Sequence, residues 1–296
     1  MAKIGFVGLG HMGLPMAINL IKAGHQVSGY DLQQSALQNF ADAGGIVAHS
    51  LQEAAQDILI TMLQTGAQVL GVCHGHDGLF SKLKPGALLI DCSTIDVNSA
   101  RELHQLAHRQ GIRMVDAPVS GGTAGATAGS LTFMVGGEDA AVHEAQPILA
   151  AMGQKIIHTG TAGSGQAAKI CNNMILGISM IAISEAFVLA EQLQLSPQKL
   201  FEVVSNSSGQ CWAMSKYAPV AGVLENVPAN KEYQPGFAAA MMLKDLVLSQ
   251  DSARAVQVTT PLGAKATTLY QHLIDQGLGD ADFSAIIKLI AQGKEV

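Results

Sequence analysis

A lysine and an asparagine one helical turn apart are the residues of this chain whose types and spacing best suit proton chemistry. Lys169 and Asn173 lie in residues 165–176, a stretch made mostly of small or apolar residues. Residues four apart share a helix face, so both side chains are expected to point the same way. A buried ammonium group needs a partner or a task, because desolvating an unpaired charge is strongly unfavourable. We predict that Lys169 transfers protons and Asn173 orients a substrate; the alternative is a lysine that reaches solvent.

A glycine-rich turn near the start of the chain supports a catalytic interpretation. Residues 3–8 have the pattern of a short apolar strand, a helical pattern follows, and the turn between them has the form G-x-G-x-x-G. The turn consists of Gly8, Leu9, Gly10, His11, Met12 and Gly13. The first glycine permits a tight turn, the second lets the backbone approach a pyrophosphate, and the third allows close helix packing. These residues are therefore predicted to bind a dinucleotide; a purely structural glycine turn is the alternative.

An acidic residue after the second predicted strand indicates which dinucleotide binds. Asp31 follows the strand of residues 26–30, within the interval expected for this fold. Its carboxylate can accept hydrogen bonds from both ribose hydroxyls but would repel a 2′-phosphate, and residues 32–34 include no arginine. We expect NAD rather than NADP. Asp31 could also cap the following helix, and the two roles are compatible.

Composition limits the classes of protein that this chain can be. Its 296 residues, 48% hydrophobic and 14% charged, provide enough core for two domains. A net charge of −6 without a basic cluster argues against a nucleic-acid partner. The most apolar window, residues 174–183, is too short to span a bilayer, so we predict no membrane partner. The chain begins directly with a strand, without a signal-peptide pattern, which favours a cytoplasmic location.

The cysteines and histidines show no convincing metal-ligand spacing. Four widely spaced cysteines without a C-x-x-C pair are expected to be reduced, mostly buried thiols. His74 and His76 beside Cys73, and His104 with His108, lack a third or fourth ligand nearby. We predict no metal site.

The order of predicted elements indicates an α/β fold. Residues 1–163 alternate helix-like runs with strand-like runs, the latter at residues 3–8, 26–30, 57–61, 87–91, 113–116, 131–135 and 155–158. This alternation is typical of a Rossmann domain with a doubly wound parallel sheet. From residue 164 to 296 helical patterns dominate, so an all-α C-terminal domain is predicted. A helix from Gly165 to Gln192 would span on the order of 40 Å and bridge the two domains. Because it is apolar around its circumference, we expect other helices, including those of a second subunit, to pack on it in a homodimer or homotetramer.

Two loops fall at the carboxyl ends of predicted strands, where a doubly wound sheet binds its ligands. One is residues 91–94, ending in Thr94, and the other is residues 116–122. Successive amides of Ser120, Gly121 and Gly122 could form an anion-binding nest for a substrate carboxylate. A plain Gly-Gly turn is the alternative.

Four segments together resemble the signatures of the β-hydroxyacid dehydrogenases. They are residues 8–16, 116–122, 165–173 and 244–246, and their order and spacing match over essentially the whole chain. The resemblance implies a catalytic Lys169 with Asn173 as its partner, and a substrate carboxylate held by Ser120, Gly121, Gly122 and Asn173. It also implies that Thr94 lies near the nicotinamide and that Lys244 closes over cofactor and substrate. Where relatives carry Met-Leu-Pro, this chain reads Met62-Leu63-Gln64, and Leu63 and Gln64 are candidate cofactor contacts.

Within that family, residues 91–95, 207–212 and 260–263 most resemble the enzymes that oxidise 3-hydroxyisobutyrate to methylmalonate semialdehyde in valine breakdown. The resemblance implies that NAD accepts a hydride while Lys169 takes the hydroxyl proton. A lysine with its ordinary pKa of ~10.4 is a poor base at neutral pH, so burial and the nicotinamide charge must lower that pKa.

Two other functions remain open. A reductase of tartronate semialdehyde would share the fold and the lysine, whereas the apolar candidates Cys211, Trp212, Met214 and Phe237 suit a methyl branch. A non-catalytic dinucleotide-binding protein is the second, and the retained lysine argues against it.

Overall fold

A computed structural model describes residues 1–74 and 77–293. The chain divides into two compact units, Met1–Lys169 and Ile170–Val296. This division falls inside a helix, and the predicted boundary at residue 163 stays a prediction.

Among the described residues, the first unit is built on a nine-stranded sheet. Its strands are β1 (Lys3–Val7), β2 (Gln26–Tyr30), β3 (Ile46–Val47), β4 (Ile58–Thr61), β5 (Leu88–Asp91), β6 (Arg113–Asp116), β7 (Val119–Ser120), β8 (Leu131–Gly137) and β9 (Gly153–Gly160). The order is β3-β2-β1-β4-β5-β6-β8-β7, and β9 also pairs with β8. The strands from β1 to β6 are parallel, and their order reverses between β1 and β4. The predicted doubly wound sheet is therefore confirmed, and its ligand-binding edge lies at the carboxyl ends of these strands.

The sheet departs from a purely parallel arrangement at β8, which runs antiparallel to both β6 and β7. A parallel return requires a crossover long enough to carry the chain back along the sheet. The connection from β6 to β8 contains only a short helix, α5 (Gly122–Ala128), and the two-residue β7. The chain therefore reverses direction here, which leaves the segment after β6 at the ligand-binding edge.

Helices cover the sheet because each has one apolar face. The remaining helices of this unit are α1 (Gly13–Lys22), α2 (Gln34–Asp42), α3 (Gly66–His74), α4 (Val97–Arg109) and α6 (Asp139–Leu149). On α1 the buried residues Met16, Ala17 and Leu20 pack in the same core as Ile4 and Phe6 of β1. Full burial of each large apolar side chain contributes about 1.5–3 kcal/mol.

The second unit is helical. It contains most of α7 (Ser164–Gln192), then α8 (Pro197–Ser205), α9 (Trp212–Tyr217), α10 (Ala239–Ala255), α11 (Pro261–Leu273) and α12 (Ile286–Ala291). Within residues 170–293 the structure shows no β-strand beyond an isolated bridge, so the predicted all-α domain is confirmed. At the start of α8 the Ser196 hydroxyl accepts a 3.3 Å hydrogen bond from the Lys199 amide, and Pro197 occupies the first turn.

Helix α7 has one exposed face that is mostly apolar, with the exposed Glu185 beside it. The helix is 29 residues long, and by length and composition alone it could cross a membrane, as could the core helix of a water-soluble protein. It is longer than the apolar window on which the membrane prediction was based. Ile175, Ala182, Leu189 and, just past the helix end, Leu193 are exposed at helical spacing, whereas Met180 and Phe187 are buried. This chain therefore covers α7 on one side only. The prediction that other helices pack around α7 is met within the chain on that side alone.

Candidate active site

The glycine-rich turn combines two closely packed glycines with an open one. Gly8 has a φ of +96°, and a Cβ there would lie 2.3 Å from the Met62 carbonyl oxygen. A Cβ on Gly13 would lie 1.8 Å from the Gly8 carbonyl oxygen, so α1 packs directly against the turn. Gly10 is exposed, and nothing lies within 4 Å of the place where its Cβ would be. The open backbone at Gly10 is where a pyrophosphate could approach.

Asp31 lies directly after β2 and holds this turn. Its Oδ2 accepts a 2.6 Å hydrogen bond from the Leu9 amide, and its Oδ1 accepts one of 2.8 Å from the Gln33 amide. Each carboxylate oxygen keeps a second lone pair that a ribose hydroxyl could use. The carboxylate therefore fixes the turn in a position compatible with its predicted role.

The loop after β4 carries Gln64 where the family pattern has a proline, and the amide of Gln64 forms a hydrogen bond here. The amides of Gln64 and Thr65 donate hydrogen bonds of 3.1 and 3.2 Å to Oε1 of Gln68. A proline at position 64 has no amide hydrogen and could not make the first bond. The Leu63 amide donates to the Ser93 hydroxyl at 2.9 Å, which joins this loop to the segment after β5.

Two buried carboxylates, Asp91 and Asp116, lie in register at the ends of β5 and β6. Oδ1 of Asp91 accepts from the Thr61 hydroxyl at 2.8 Å and from the Ser93 amide at 3.2 Å. Its Oδ2 has no hydrogen-bond partner among the described residues. Burial raises the pKa of Asp91 to about 6, these hydrogen bonds partly oppose the rise, and the charge of Asp116 adds to it.

Asp116 is bonded on both oxygens and caps α7. Its Oδ1 accepts from the Gly163 amide at 2.8 Å and lies 2.9 Å from Nε2 of His104. Its Oδ2 accepts from the Gln166 amide at 3.0 Å. A carboxylate at a helix N-terminus is favourable because the first amides and the helix dipole are positive there. One side chain thus joins the end of β6 to the start of the helix that carries Lys169.

Gln166, which the sequence did not single out, binds the segment around Thr94. Its Nε2 donates to the Ser93 carbonyl at 2.7 Å, and its Oε1 accepts from the Ile95 amide at 3.1 Å. Its side chain is fully buried. One sequence signal could have identified Gln166 as a site residue: it lies one turn before Lys169 in the same helical pattern.

Ser120, Gly121 and Gly122 lie at the junction of β7 and α5. Gly121 and Gly122 have φ values of +135° and +61°, in the left-handed region that favours glycine. The predicted anion-binding role of these three residues stays a prediction.

Lys169 and Asn173 lie one turn apart on α7, and both are buried: Lys169 is 7% exposed and Asn173 is 1% exposed. The lysine is therefore not one that extends into solvent. Nδ2 of Asn173 donates to Oδ2 of Asp245 on α10 at 2.5 Å, and its Oδ1 accepts from Asn172 at 2.9 Å. The amide of Asn173 is thus fixed in one orientation by Asn172 and Asp245.

Asp245 is the second residue that sequence reasoning missed. It is 3% exposed, and the Nζ of the predicted site residue Lys244 lies 3.7 Å from its Oδ1. Its place beside Lys244 in the fourth family segment was a signal that could have identified it.

The apolar candidates fall into different environments. Trp212 is exposed and stacks on Tyr217 at 5.1 Å between ring centroids, and Tyr217 stacks on Phe283 at 5.3 Å. Phe237 packs edge-on against Phe283. Met214 is fully buried in the helical core, so it does not line an open surface.

The cysteines are all free thiols, of which Cys73 and Cys92 are buried, Cys171 is exposed and Cys211 is partly exposed. In the described part of the chain, no group of three or more His, Cys, Asp or Glu residues could hold a metal ion. His76, considered above with Cys73, lies outside the described residues.

Comparison with known proteins agrees with this geometry. Residues 3–160 match the family described as the NAD binding domain of 6-phosphogluconate dehydrogenase. Residues 163–290 match the family described as the NAD-binding of NADP-dependent 3-hydroxyisobutyrate dehydrogenase.

Individual relatives match over nearly the full length. The NAD-dependent L-serine dehydrogenase of Pseudomonas aeruginosa is 47% identical over 98% of this chain and 98% of its own length. The mitochondrial 3-hydroxyisobutyrate dehydrogenase of Homo sapiens is 43% identical over 98% of this chain and 87% of its own length. The solved structure of Mycobacterium tuberculosis 3-hydroxyisobutyrate dehydrogenase with L-serine has a TM-score of 0.93 and 47% identity, covering 98% of this chain and 99% of that chain.

The fold and these similarities define an NAD-dependent oxidoreductase that acts on the CH–OH group of a small hydroxy acid. More narrowly, the chain belongs to the 3-hydroxyisobutyrate dehydrogenase family. The resemblance to the β-hydroxyacid dehydrogenases and the predicted cofactor NAD are confirmed.

Two glycine variants should separate cofactor binding from folding. In Gly10→Ala the new methyl group has room in the protein but occupies the approach of the pyrophosphate. We expect unchanged thermal unfolding and at least ~10-fold weaker NAD binding by calorimetry. Gly13→Ala places Cβ against the Gly8 carbonyl and should destabilise the fold by about 2 kcal/mol or more. Unchanged NAD affinity in a folded Gly10→Ala protein would contradict this assignment of the turn.

The buried carboxyl of Asp91 should make stability depend on pH. Its pKa is raised by folding, so its stabilising contribution is present below about pH 4 and is lost as the pH rises through about 6. Asp91→Asn retains the accepting oxygen and does not ionise. Its free energy of unfolding should exceed that of the wild type by an amount that grows from about pH 4 to about pH 6 and then levels off, reaching at most roughly 3 kcal/mol. Urea unfolding, with the exposed Asp42→Asn as control, measures this; a difference independent of pH would refute it.

Proposed function

We propose that this protein oxidises 3-hydroxyisobutyrate to methylmalonate semialdehyde with NAD, using Lys169 as the general base. The observation that carries the proposal is a buried lysine on the helix whose first turn is bonded to the segments after β5 and β6. Those segments begin at the edge where a doubly wound sheet binds its ligands. Relatives named 3-hydroxyisobutyrate dehydrogenase at 43–47% identity support the choice of substrate.

L-serine is the second candidate substrate. It carries the same primary alcohol and carboxylate as 3-hydroxyisobutyrate, with an ammonium in place of the methyl group. The similarity to an L-serine dehydrogenase, and to a structure solved with L-serine, favours testing it. Tartronate semialdehyde reduction, tested in reverse with glycerate, is the remaining alternative.

The mechanism assigns each predicted residue one task. NAD, when bound, supplies the hydride acceptor, with contacts from residues 8–13, Asp31, Leu63 and Gln64. The amides of Ser120, Gly121 and Gly122, with Asn173, hold the substrate carboxylate. Nζ of Lys169 takes the proton of the substrate hydroxyl as the carbinol carbon loses its hydride, and it returns that proton in the reverse direction. Thr94 would lie near the nicotinamide end of the bound cofactor, and Lys244 would close over cofactor and substrate.

Asn173 suits an orienting role because its amide is held on both sides. Its Nδ2 binds the Asp245 carboxylate and its Oδ1 binds Asn172. A carboxamide does not titrate near neutral pH, so it can position a proton donor or acceptor without exchanging protons itself.

Self-association through α7 completes the proposal. Ala182 lies midway between Ile175 and Leu189 on the exposed face, and also midway between Cys171 and Leu193. A face with this symmetry can pair with a second, antiparallel copy of itself about a twofold axis, with the small alanine at the crossing. The resulting homodimer could pair again into a homotetramer. A cytoplasmic location stays a prediction.

Loss of the lysine should abolish turnover and leave the cofactor site intact. We expect Lys169→Ala to reduce kcat by at least ~10³-fold, with NAD affinity within about threefold of the wild type. The matched control is Lys199→Ala, which removes an exposed lysine paired with Glu202. Absorbance of NADH at 340 nm, with 3-hydroxyisobutyrate, L-serine and glycerate and with either NAD or NADP, reports both activity and substrate choice. Substantial turnover by folded Lys169→Ala protein would remove Lys169 from the mechanism.

A charge on the exposed face of α7 should disrupt association. Leu189→Glu is expected to yield monomers by light scattering at micromolar concentration, because the interface would bury an unpaired carboxylate. Leu32→Glu, an exposed leucine of the first unit, should keep the mass of the wild type. A monomeric wild-type protein would disprove the proposed pairing.

A further inference from the structure

We propose that Gln166 is a positioning residue that sets the location of Thr94 relative to Lys169, and so controls hydride transfer rather than cofactor affinity. The inference rests on the proposed function, since it takes Thr94 as the nicotinamide-end residue and Lys169 as the base.

A single carboxamide binds the backbone on both sides of Thr94. Nε2 of Gln166 donates to the Ser93 carbonyl at 2.7 Å, and Oε1 accepts from the Ile95 amide at 3.1 Å. The side-chain amide can adopt only one orientation. In the reverse orientation its NH₂ group would face the N–H of Ile95, and its oxygen would face the carbonyl oxygen of Ser93. Gln166, Ser93 and Ile95 are all at most 1% exposed, so water cannot replace either bond without a structural change.

The backbone of Gln166 is fixed independently of its side chain. Its amide donates to Oδ2 of Asp116, whose Oδ1 accepts from the Gly163 amide. The side chain therefore extends from a fixed point on α7. Ser93 is held on its other side, where its hydroxyl accepts from the Leu63 amide.

Lys169 lies one turn further along the same helix. A change in the reach of residue 166 would move the segment around Thr94 with respect to Lys169 while the glycine-rich turn stays in place. Proton and hydride transfer depend steeply on geometry, and a misplacement of about 1 Å can reduce the rate about 10²-fold. NAD affinity depends mainly on the turn and on Asp31, so it should change little.

Two substitutions distinguish positioning from simple stabilisation. Gln166→Met has a similar length and cannot bind either backbone group. Gln166→Glu can restore both bonds when it is protonated, because its carbonyl oxygen accepts and its hydroxyl donates. When it ionises, a carboxylate oxygen faces the Ser93 carbonyl oxygen, and two acceptors cannot form a hydrogen bond. The activity of this variant relative to the wild type should therefore rise as the pH falls.

The experiment measures kcat and the KM for NAD and for the hydroxy acid from about pH 6 to about pH 9, on the full-length protein. The hydroxy acid is whichever of 3-hydroxyisobutyrate, L-serine or glycerate the wild type oxidises best. The control is Ser184→Ala, which removes a buried hydrogen bond to the Met180 carbonyl elsewhere on α7.

We expect Gln166→Met to lose about 10- to 100-fold in kcat with a KM for NAD within about threefold of the wild type. The kcat of Gln166→Glu divided by that of the wild type should rise at least ~10-fold from about pH 9 to about pH 6, and Ser184→Ala should show neither effect. If Gln166→Met does not fold, the pH-dependent recovery of Gln166→Glu decides alone. A flat ratio for Gln166→Glu, or a Gln166→Met enzyme with wild-type kcat, overturns the inference while leaving the proposed function intact. A wild-type protein inactive on all three hydroxy acids overturns both.

Discussion

The arrangement of this site depends on one buried carboxylate at the start of a helix. Asp116 accepts hydrogen bonds from the amides of Gly163 and Gln166 and contacts His104, so the end of β6 is joined to the first turn of α7. Amides at a helix start have no partner within the helix, and a carboxylate buried without donors would be strongly unfavourable. The amides supply the donors that the buried carboxylate needs, and the carboxylate supplies the acceptor that the amides need. The helix that carries Lys169 therefore begins at the ligand-binding edge of the sheet. Its starting position is set by the hydrogen bonds to Asp116 and not by the helix sequence alone.

The neighbouring carboxylate shows what happens when only one of the two oxygens has hydrogen-bond donors. Asp91 is as buried as Asp116 and pairs with it in register, but one of its oxygens has no partner among the described residues. Burial raises the pKa of Asp91, and the charge of Asp116 adds to that rise. Perturbed ionisable groups of this kind concentrate at functional sites, where local stability is reduced in favour of geometry. Here Asp91 orients Ser93, which in turn connects the loop after β4 with Gln166.

The sequence predicted most of the fold because the necessary signals are local. The glycine-rich turn, the strand before it and Asp31 lie within the first 31 residues, and each strand predicted by pattern in the first unit is present. The two-residue strands β3 and β7 were missed, since so few residues carry no periodic pattern. The antiparallel direction of β8 depends on the length of its connection, which a strand pattern does not reveal.

The site was only partly predictable, because its supporting residues pair over long sequence distances. Asn173 and Asp245 are 72 residues apart, Gln166 and Ser93 are 73 apart, and Gln166 and Asp116 are 50 apart. A single sequence shows residue types and local spacing, and it does not show which distant backbone group a glutamine will bind. Lys169 was identified because an ammonium in an apolar helix is unusual, whereas a buried glutamine resembles many surface glutamines in sequence. The most direct test of the account is a crystal structure of the dead-end complex with NADH and the preferred hydroxy acid. It should place Nζ of Lys169 about 3 Å from the substrate hydroxyl oxygen; an Nζ directed into solvent, with another group bonded to that hydroxyl, would contradict the account.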